Sequence, residues 1–212
     1  MKGRGAKLRG GAGTLQGSPP LSLYSGRPVT RKERRGTIYS NDKGDIRMIP
    51  SEVQSALAAQ INQEFTAAYT YLAMAAWFDR QSLDGFARWM EFQHKEENAH
   101  GMRLFRYLLD RGGNFELAGI AKPRTDYASV REIFEQALEQ ERENTSAINS
   151  LYELANSVND YATISHLQWF LDEQVEEEKS IEDILALLER SEGDPSAILY
   201  LNDKLGSRST AA

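Results

Sequence analysis

Glu96-Glu97-Asn98-Ala99-His100 interrupts an apolar stripe with groups that bind cations. Phe86, Met90, Leu104 and Leu108 recur at spacings of three and four, and Glu97 and His100 occupy the positions where that stripe should continue. A carboxylate and an imidazole one turn apart therefore point into an expected core. A buried carboxylate must be protonated, paired or bound to a metal, and an i, i+3 Glu/His pair on one helix face can reach a single ion. Glu91-Phe92-Gln93-His94 has the same Glu-x-x-His spelling. Six residues turn a helix by about 600°, so Glu91 faces away from Glu97, towards a mostly polar row, and Glu91 and His94 read as surface.

Three more segments repeat this intrusion. The stripe Leu57, Ile61, Glu64, Ala68, Tyr71, Ala75 contains Glu64, and Phe134, Leu138, Glu141, Thr145, Ile148, Tyr152 contains Glu141. Leu167, Phe170, Gln174, Glu177, Ile181, Ile184, Leu188 contains Glu177. Each carboxylate lies near the middle of its segment. In a four-helix bundle the midpoints meet, so four carboxylates and His100 converge. Without metal they repel one another and their pKa values rise. Two divalent cations would balance them, and oxygen ligands with one imidazole favour Fe(II), Mn(II) or Zn(II) over Cu(I).

The elements that must position these groups are all helical, which predicts an all-α bundle. A first helix runs from a capping box at Ser51-x-x-Gln54 to about Asp79, and a second from Ser82 or Asp84 to Arg111, before Gly112-Gly113. About fifteen residues through Pro123 follow, long enough to cross the length of a bundle. Ser129-x-x-Glu132 is a second capping box, Asn159-Asp160 makes a short turn, and Gly193-Asp194-Pro195-Ser196 stops the fourth helix. A short amphipathic segment, Ile198 to Leu205, closes the pattern.

Bulk properties narrow the function. The 212 residues contain no cysteine, which excludes disulfides, zinc–thiolate sites and iron–sulfur clusters. No apolar run approaches the length of a membrane span. Residues 1–47 hold eleven basic and three acidic side chains, a net +8, which leaves −14 for residues 48–212 against the total of −6. An acidic body argues against nucleic acid as the main partner and suits the collection of cations. Residues 1–47 read as a disordered basic extension, and three interpretations stay open: a transit peptide, a nucleic-acid arm, or an upstream stretch before a true start at Met48. The last is favoured because Lys43-Gly44-Asp45 back-translates to a purine-rich ribosome-binding stretch. His166, without ligand spacing, reads as surface. Trp89, Trp169 and Phe170 read as packing, and Met90 and Met102 as fillers that identify no haem site.

From Met48 to Ser207 the chain resembles the bacterial non-haem ferritins. The resemblance rests on Asn62-Gln63-Glu64, Tyr71, Glu96-Glu97-Asn98-Ala99-His100, Gln140-Glu141, and Leu167-Gln168-Trp169-Phe170 leading into Glu173-Gln174-Val175-Glu176-Glu177-Glu178-Lys179. It implies a ferritin-like four-helix bundle with a long crossover between the second and third helices and a short fifth helix. It implies a ferroxidase that oxidises Fe(II) with dioxygen or peroxide at a di-iron centre, without haem. Fe(III) would be stored as mineral inside a homo-oligomeric cage, family-typically of 24 chains, in the cytoplasm. By matching position, one iron takes Glu64, Glu97 and His100, and the other takes Glu97, Glu141 and Glu177. Glu96, Glu173 and Glu176 match a third iron site, and Tyr71 matches a phenol that bonds to a ligand and donates an electron.

The fourth helix departs from a symmetric Glu-x-x-His pattern. Gln174 stands where a bridging carboxylate would be, within the ligand set, and Glu177 stands in place of the imidazole. With Gln174 neutral, only Glu97 bridges strongly, which predicts a looser, exchangeable second iron. Rubrerythrin-like peroxidases usually need a cysteine-ligated iron that this chain cannot supply. DNA-associated mini-ferritins, for which residues 1–47 would serve, place their metal between subunits. A purely structural bundle with satisfied core carboxylates is the remaining alternative.

Overall fold

The structure is a computed structural model and describes residues 49–190 and 194–207. The expected basic extension, residues 1–47, and the stop at Gly193 lie outside the described residues. Four long helices, α1 (Ser51–Arg80), α2 (Asp84–Asp110), α3 (Val130–Ser157) and α4 (Tyr161–Arg190), are followed by a short α5 (Pro195–Gly206), with no strand among the described residues.

The ends of the first three helices share one device. Ser82, Gly112 and Asn159 take positive φ angles of 57°, 73° and 58°. At each, the next N–H turns back to a carbonyl five residues earlier: Leu83 to Phe78 at 3.1 Å, Gly113 to Leu108 at 2.9 Å, and Asp160 to Ala155 at 2.9 Å. These bonds satisfy carbonyls that the helix end leaves open. Ser82 is thus a turn residue and α2 begins at Asp84. The Ser129 capping box forms, with Ser129 Oγ accepting from Glu132 N at 3.1 Å and Glu132 Oε2 accepting from Ala128 N at 2.5 Å. The Ser51 box does not form. Pro50 is the N-cap residue and makes no side-chain cap, so Ser51 is already inside the helix, where its hydroxyl meets Glu52 instead.

Apolar packing sets the direction of each helix. One buried cluster joins Tyr71, Met74 and Phe78 of α1 to Phe86 and Met90 of α2, Phe134 of α3 and Ile181 of α4. The other joins Leu57 and Ile61 to Leu104 and Leu108, Ile148 and Leu151, and Leu167 and Phe170. Thus α1 and α4 run from the second cluster to the first, and α2 and α3 run the opposite way. Because α2 and α3 are parallel, residues 111–129 must travel back along the bundle. The ~40 Å length of α2 is within the reach of extended chain at about 3.3 Å per residue. This is the crossover that the loop length predicts.

The fifth helix docks on the start of α2. The residue before α2, Leu83, provides no side-chain cap. Asn202 supplies one from α5, its Oδ1 accepting from Gly85 N at 2.8 Å and Phe86 N at 3.2 Å. The approach requires glycine: a Cβ on Gly85 would lie 1.7 Å from the Asn202 backbone oxygen. At the other end of α2, Arg111 bonds to Asp160 Oδ1 at 2.9 Å, and Asp160 also accepts from Thr163, which ties α2 to the start of α4.

Candidate metal centre

Between the two apolar clusters lies a buried polar layer with contributions from all four long helices. Glu64, Glu97 and Glu141 are completely buried, and His100 and Glu177 nearly so, at 4% and 6% exposure. From Leu167 to Leu188 the α4 stripe read from the sequence matches the buried face residue for residue, and Thr163 extends that face by one turn. On α3 the core takes Asn144 and Leu151 where the stripe reading took Thr145 and Tyr152.

Glu64, Glu97 and His100 offer ligand atoms that all lie within 4.8 Å of one another. Glu64 is held from two sides, its Oε1 accepting from Gln60 Nε2 at 2.8 Å and its Oε2 from Asn144 Nδ2 at 3.2 Å. Glu97 is different. No amide, hydroxyl or backbone N–H bonds to either of its oxygens, and His100 Nδ1, 3.6 Å from Glu97 Oε2, is also without a hydrogen-bond partner. Buried polar atoms in proteins are nearly always satisfied, so oxygens whose one partner is the neighbouring Glu64 carboxyl, beside an imidazole nitrogen, fit a cation.

Glu141 accepts from the Tyr71 hydroxyl at 2.5 Å and from Gln174 Nε2 at 3.4 Å. Glu177 accepts from Gln93 Nε2 at 2.6 Å. Glu173 and Glu177 form a second group with His100, again with ligand atoms within 4.8 Å. His100 thus stands between two groups, one deep in the bundle and one that includes the half-buried Glu173. Glu96 is half-buried, Glu176 is exposed, and neither joins a three-ligand group. Glu141 and Gln174 also stand outside both groups, in the same buried layer. Gln174 turns Nε2, which cannot ligate a cation, towards Glu141.

The electrostatics follow from burial and crowding. Burial pushes the Glu97 carboxyl well above its usual range, and the charges of Glu141 and Glu64 push it further. Burial raises Glu64 as well, against the hydrogen bonds it accepts. Glu141 is raised to about 7 by burial, with the Tyr71 and Gln174 bonds opposing. His100 is lowered to about 4 by burial and by Arg103, so its imidazole is neutral. Without cations the layer therefore retains protons near neutral pH, and cations would replace them.

Three members of the layer, Gln60, Gln93 and Asn144, were not anticipated from the sequence. Each sits one turn from a carboxylate: Gln60 before Glu64, Gln93 before Glu97, Asn144 after Glu141. Gln93 continues the α2 stripe, the one available signal. The two histidines assigned to the surface are half-buried. His94 Nδ1 lies 2.8 Å from the Ala68 carbonyl, where small α1 side chains let α2 approach. His166 stacks on Tyr107 with ring centroids 4.0 Å apart, and burial lowers its pKa to about 4. Trp169 packs edge-on to His100 at 5.3 Å, and the Arg103 guanidinium carbon lies over the Trp169 ring, 3.9 Å from its centroid.

The chain is similar to known proteins in both sequence and fold. The family model described as a ferritin-like domain matches residues 54–191. The chain is 44% identical over 162 residues to the bacterial non-heme ferritin of Staphylococcus aureus (strain USA300), covering 76% of this chain and 97% of that protein. The bacterial non-heme ferritin of Staphylococcus epidermidis is 46% identical over 163 residues, covering 76% and 98%. Among solved structures, an open pore ferritin from the hyperthermophilic archaeon Archaeoglobus fulgidus superposes with a TM-score of 0.76 at 39% identity, covering 77% of this chain and 99% of the other.

Proposed function

The chain belongs to the ferritin family, and from that membership we propose that it is an iron-storage protein with ferroxidase activity. It takes Fe(II) as substrate into the middle of the bundle, oxidises it with dioxygen or peroxide, and passes Fe(III) to a mineral inside a cage of 24 copies. The observation that carries this reading is the buried Glu64–Glu97–His100 group, with Glu97 left without a hydrogen-bond donor.

The chemistry assigns each residue a task. Glu64 arrives oriented by Gln60 and Asn144, so little ordering remains when Fe(II) binds. Glu97 bridges towards Glu141 and Glu177, which serve the second iron. The neutral His100 ring offers a nitrogen lone pair without first losing a proton. Protons held by Glu97 and Glu141 leave as iron enters, which balances charge in a layer sealed above and below by apolar packing. Tyr71 donates to Glu141 and stays a neutral phenol, because burial and the nearby Glu141 raise its pKa well above 10. It is the candidate electron donor. Two Fe(II) give one electron each, and the pair reduces dioxygen to hydrogen peroxide, or hydrogen peroxide to water, with two protons. An electron from Tyr71 would serve only where a single Fe(II) is present to supply the other.

From His100 and Glu177 the carboxylates continue outward through Glu173 to the exposed Glu176, and with Glu96 these form the proposed third iron site and the way to the mineral. Exposed apolar side chains, including Tyr69 and Leu72 on α1, Leu117 and Ile120 on the crossover, and Leu199 and Tyr200 on α5, supply surface for cage contacts. No helix among the described residues is long and apolar enough to cross a membrane, which suits the proposed cytoplasmic location.

The test is to add Fe(II) in air to iron-free protein and follow near-ultraviolet ferric absorbance together with particle mass by light scattering. Uptake continuing far beyond two irons per chain in a particle of about 24 chains supports the reading. Saturation at two irons contradicts storage.

A further inference from the structure

Three amides in the buried layer are joined head to tail. Gln60 Nε2 donates to Glu64 Oε1 at 2.8 Å and to Asn144 Oδ1 at 2.5 Å. Asn144 Nδ2 donates to Glu64 Oε2 at 3.2 Å and to Gln174 Oε1 at 3.4 Å. Gln174 Nε2 then donates to the Glu141 carbonyl at 3.2 Å, to Glu141 Oε2 at 3.4 Å and to Thr145 Oγ1 at 3.2 Å. The line crosses from α1 through α3 to α4, and Gln60, Asn144 and Gln174 are each at least 97% buried.

An amide has two N–H donors and one acceptor oxygen. Asn144 uses both donors on different partners and its oxygen on a third. Turned over, it would set its NH2 against that of Gln60 and its oxygen against Glu64 Oε2 and Gln174 Oε1. Its orientation is therefore fixed by its neighbours. An apolar side chain would fill the same space without desolvating an amide. The amide is thus placed where its directionality matters, between a carboxylate of one half of the centre and the glutamine that holds a carboxylate of the other.

We propose that Asn144 is a positioning residue that sets Glu64 and, through Gln174, Glu141 for metal binding, so that the two halves of the centre are prepared together. It ligates nothing itself. The inference rests on the reading of this layer as a metal centre, and partners of this kind commonly change metal affinity by about 10- to 100-fold.

The test is calorimetric titration of iron-free assembled protein with Zn(II), which binds without oxidation. The proteins compared are the native chain, Asn144→Leu, Gln60→Leu and the packing control Ile148→Ala, which alters a fully buried residue one turn along α3. Native protein is expected to bind two Zn(II) per chain in the buried layer, apart from any at the outer Glu96, Glu173 and Glu176. Asn144→Leu is expected to weaken both by about 10-fold or more, Gln60→Leu to weaken at least the Glu64 side, and Ile148→Ala to melt earlier with unchanged affinity. If Asn144→Leu fails to assemble, Gln60→Leu carries the test. Native affinity retained in both amide variants, or an equal loss in Ile148→Ala, overturns the role of Asn144 while leaving the metal centre standing. No Zn(II) bound by native protein overturns the metal-centre reading itself.

Discussion

Tyr71 on α1 donates its phenolic hydrogen to Glu141 on α3, across the bundle and at the level of the carboxylate layer. The bond opposes the rise in pKa that burial imposes on Glu141. Tyr71→Phe removes it and little volume. The expected cost in folding is about 1 kcal/mol, with a roughly tenfold loss of metal affinity on the Glu141 side. Thermal melting and Zn(II) titration measure the two. If Tyr71 also donates an electron, rapid-freeze paramagnetic resonance during iron oxidation shows a tyrosyl signal that Tyr71→Phe lacks.

The stability of the metal-free protein should fall as pH rises from about 6.5 through about 7. Glu64, Glu97 and Glu141 have folded pKa values above their unfolded ones, so the folded state holds protons that the unfolded chain has released. Their contribution is complete below the ordinary carboxylate range and is lost as pH rises from there, through about 7 for Glu141, with Glu64 and Glu97 raised in the same direction. His100 and His166, both lowered to about 4, act oppositely, but only below the usual histidine pKa of 6.5. The interval from 6.5 through about 7 isolates the carboxylates, Glu141 among them. Denaturant melts there should show declining stability without metal and no decline with Zn(II). A flat metal-free profile contradicts the assignment.

Gln174→Glu restores a carboxylate facing Glu141. The metal-free variant should be less stable than native at neutral pH, because a neutral donor becomes a like charge. Its second metal should bind more tightly and exchange more slowly. Isotope exchange of bound iron reads this directly, and an unchanged exchange rate would show that Gln174 does not set the looseness of the second site.

Gly85→Ala tests the docking of α5. The added carbon would lie 1.7 Å from the Asn202 oxygen, so α5 must shift and its cap on α2 weaken. A loss of about 1–3 kcal/mol is expected. Asn202→Ala, which removes the cap without a clash, should cost about 1 kcal/mol. Thermal melts of both variants, with particle size, check the order.

The bundle, its crossover and the faces that bury carboxylates were legible because apolar residues at spacings of three and four mark a face whatever they pack against. The α4 stripe from Leu167 to Leu188 could be read whole. On α3 the spacing allows two neighbouring tracks, and only packing decides that Asn144 and Leu151 lie deeper than Thr145 and Tyr152. Glu64, Glu97, Glu141 and Glu177 stood out because charge is conspicuous in a stripe. Gln60 and Asn144 did not, since a neutral amide beside a stripe looks like solvated surface until its partners are known, and Gln93, though in the α2 stripe, carries no charge to mark it. His94 and His166 were hidden for a related reason: their partners, the Ala68 carbonyl and the Tyr107 ring, come from elsewhere in the fold. The Ser51 box failed because Pro50 moves the start of the helix so that Ser51 lies within it.

The most direct measurement is a crystal of the protein soaked in Zn(II) or anaerobic Fe(II), with anomalous scattering recorded at the metal edge. The expected result is a metal peak within bonding distance, about 2.0–2.2 Å for Zn(II), of Glu64, Glu97 and His100, with a weaker neighbour towards Glu141 and Glu177. A clean map at that level, or Glu97 turned away to solvent, would contradict the account.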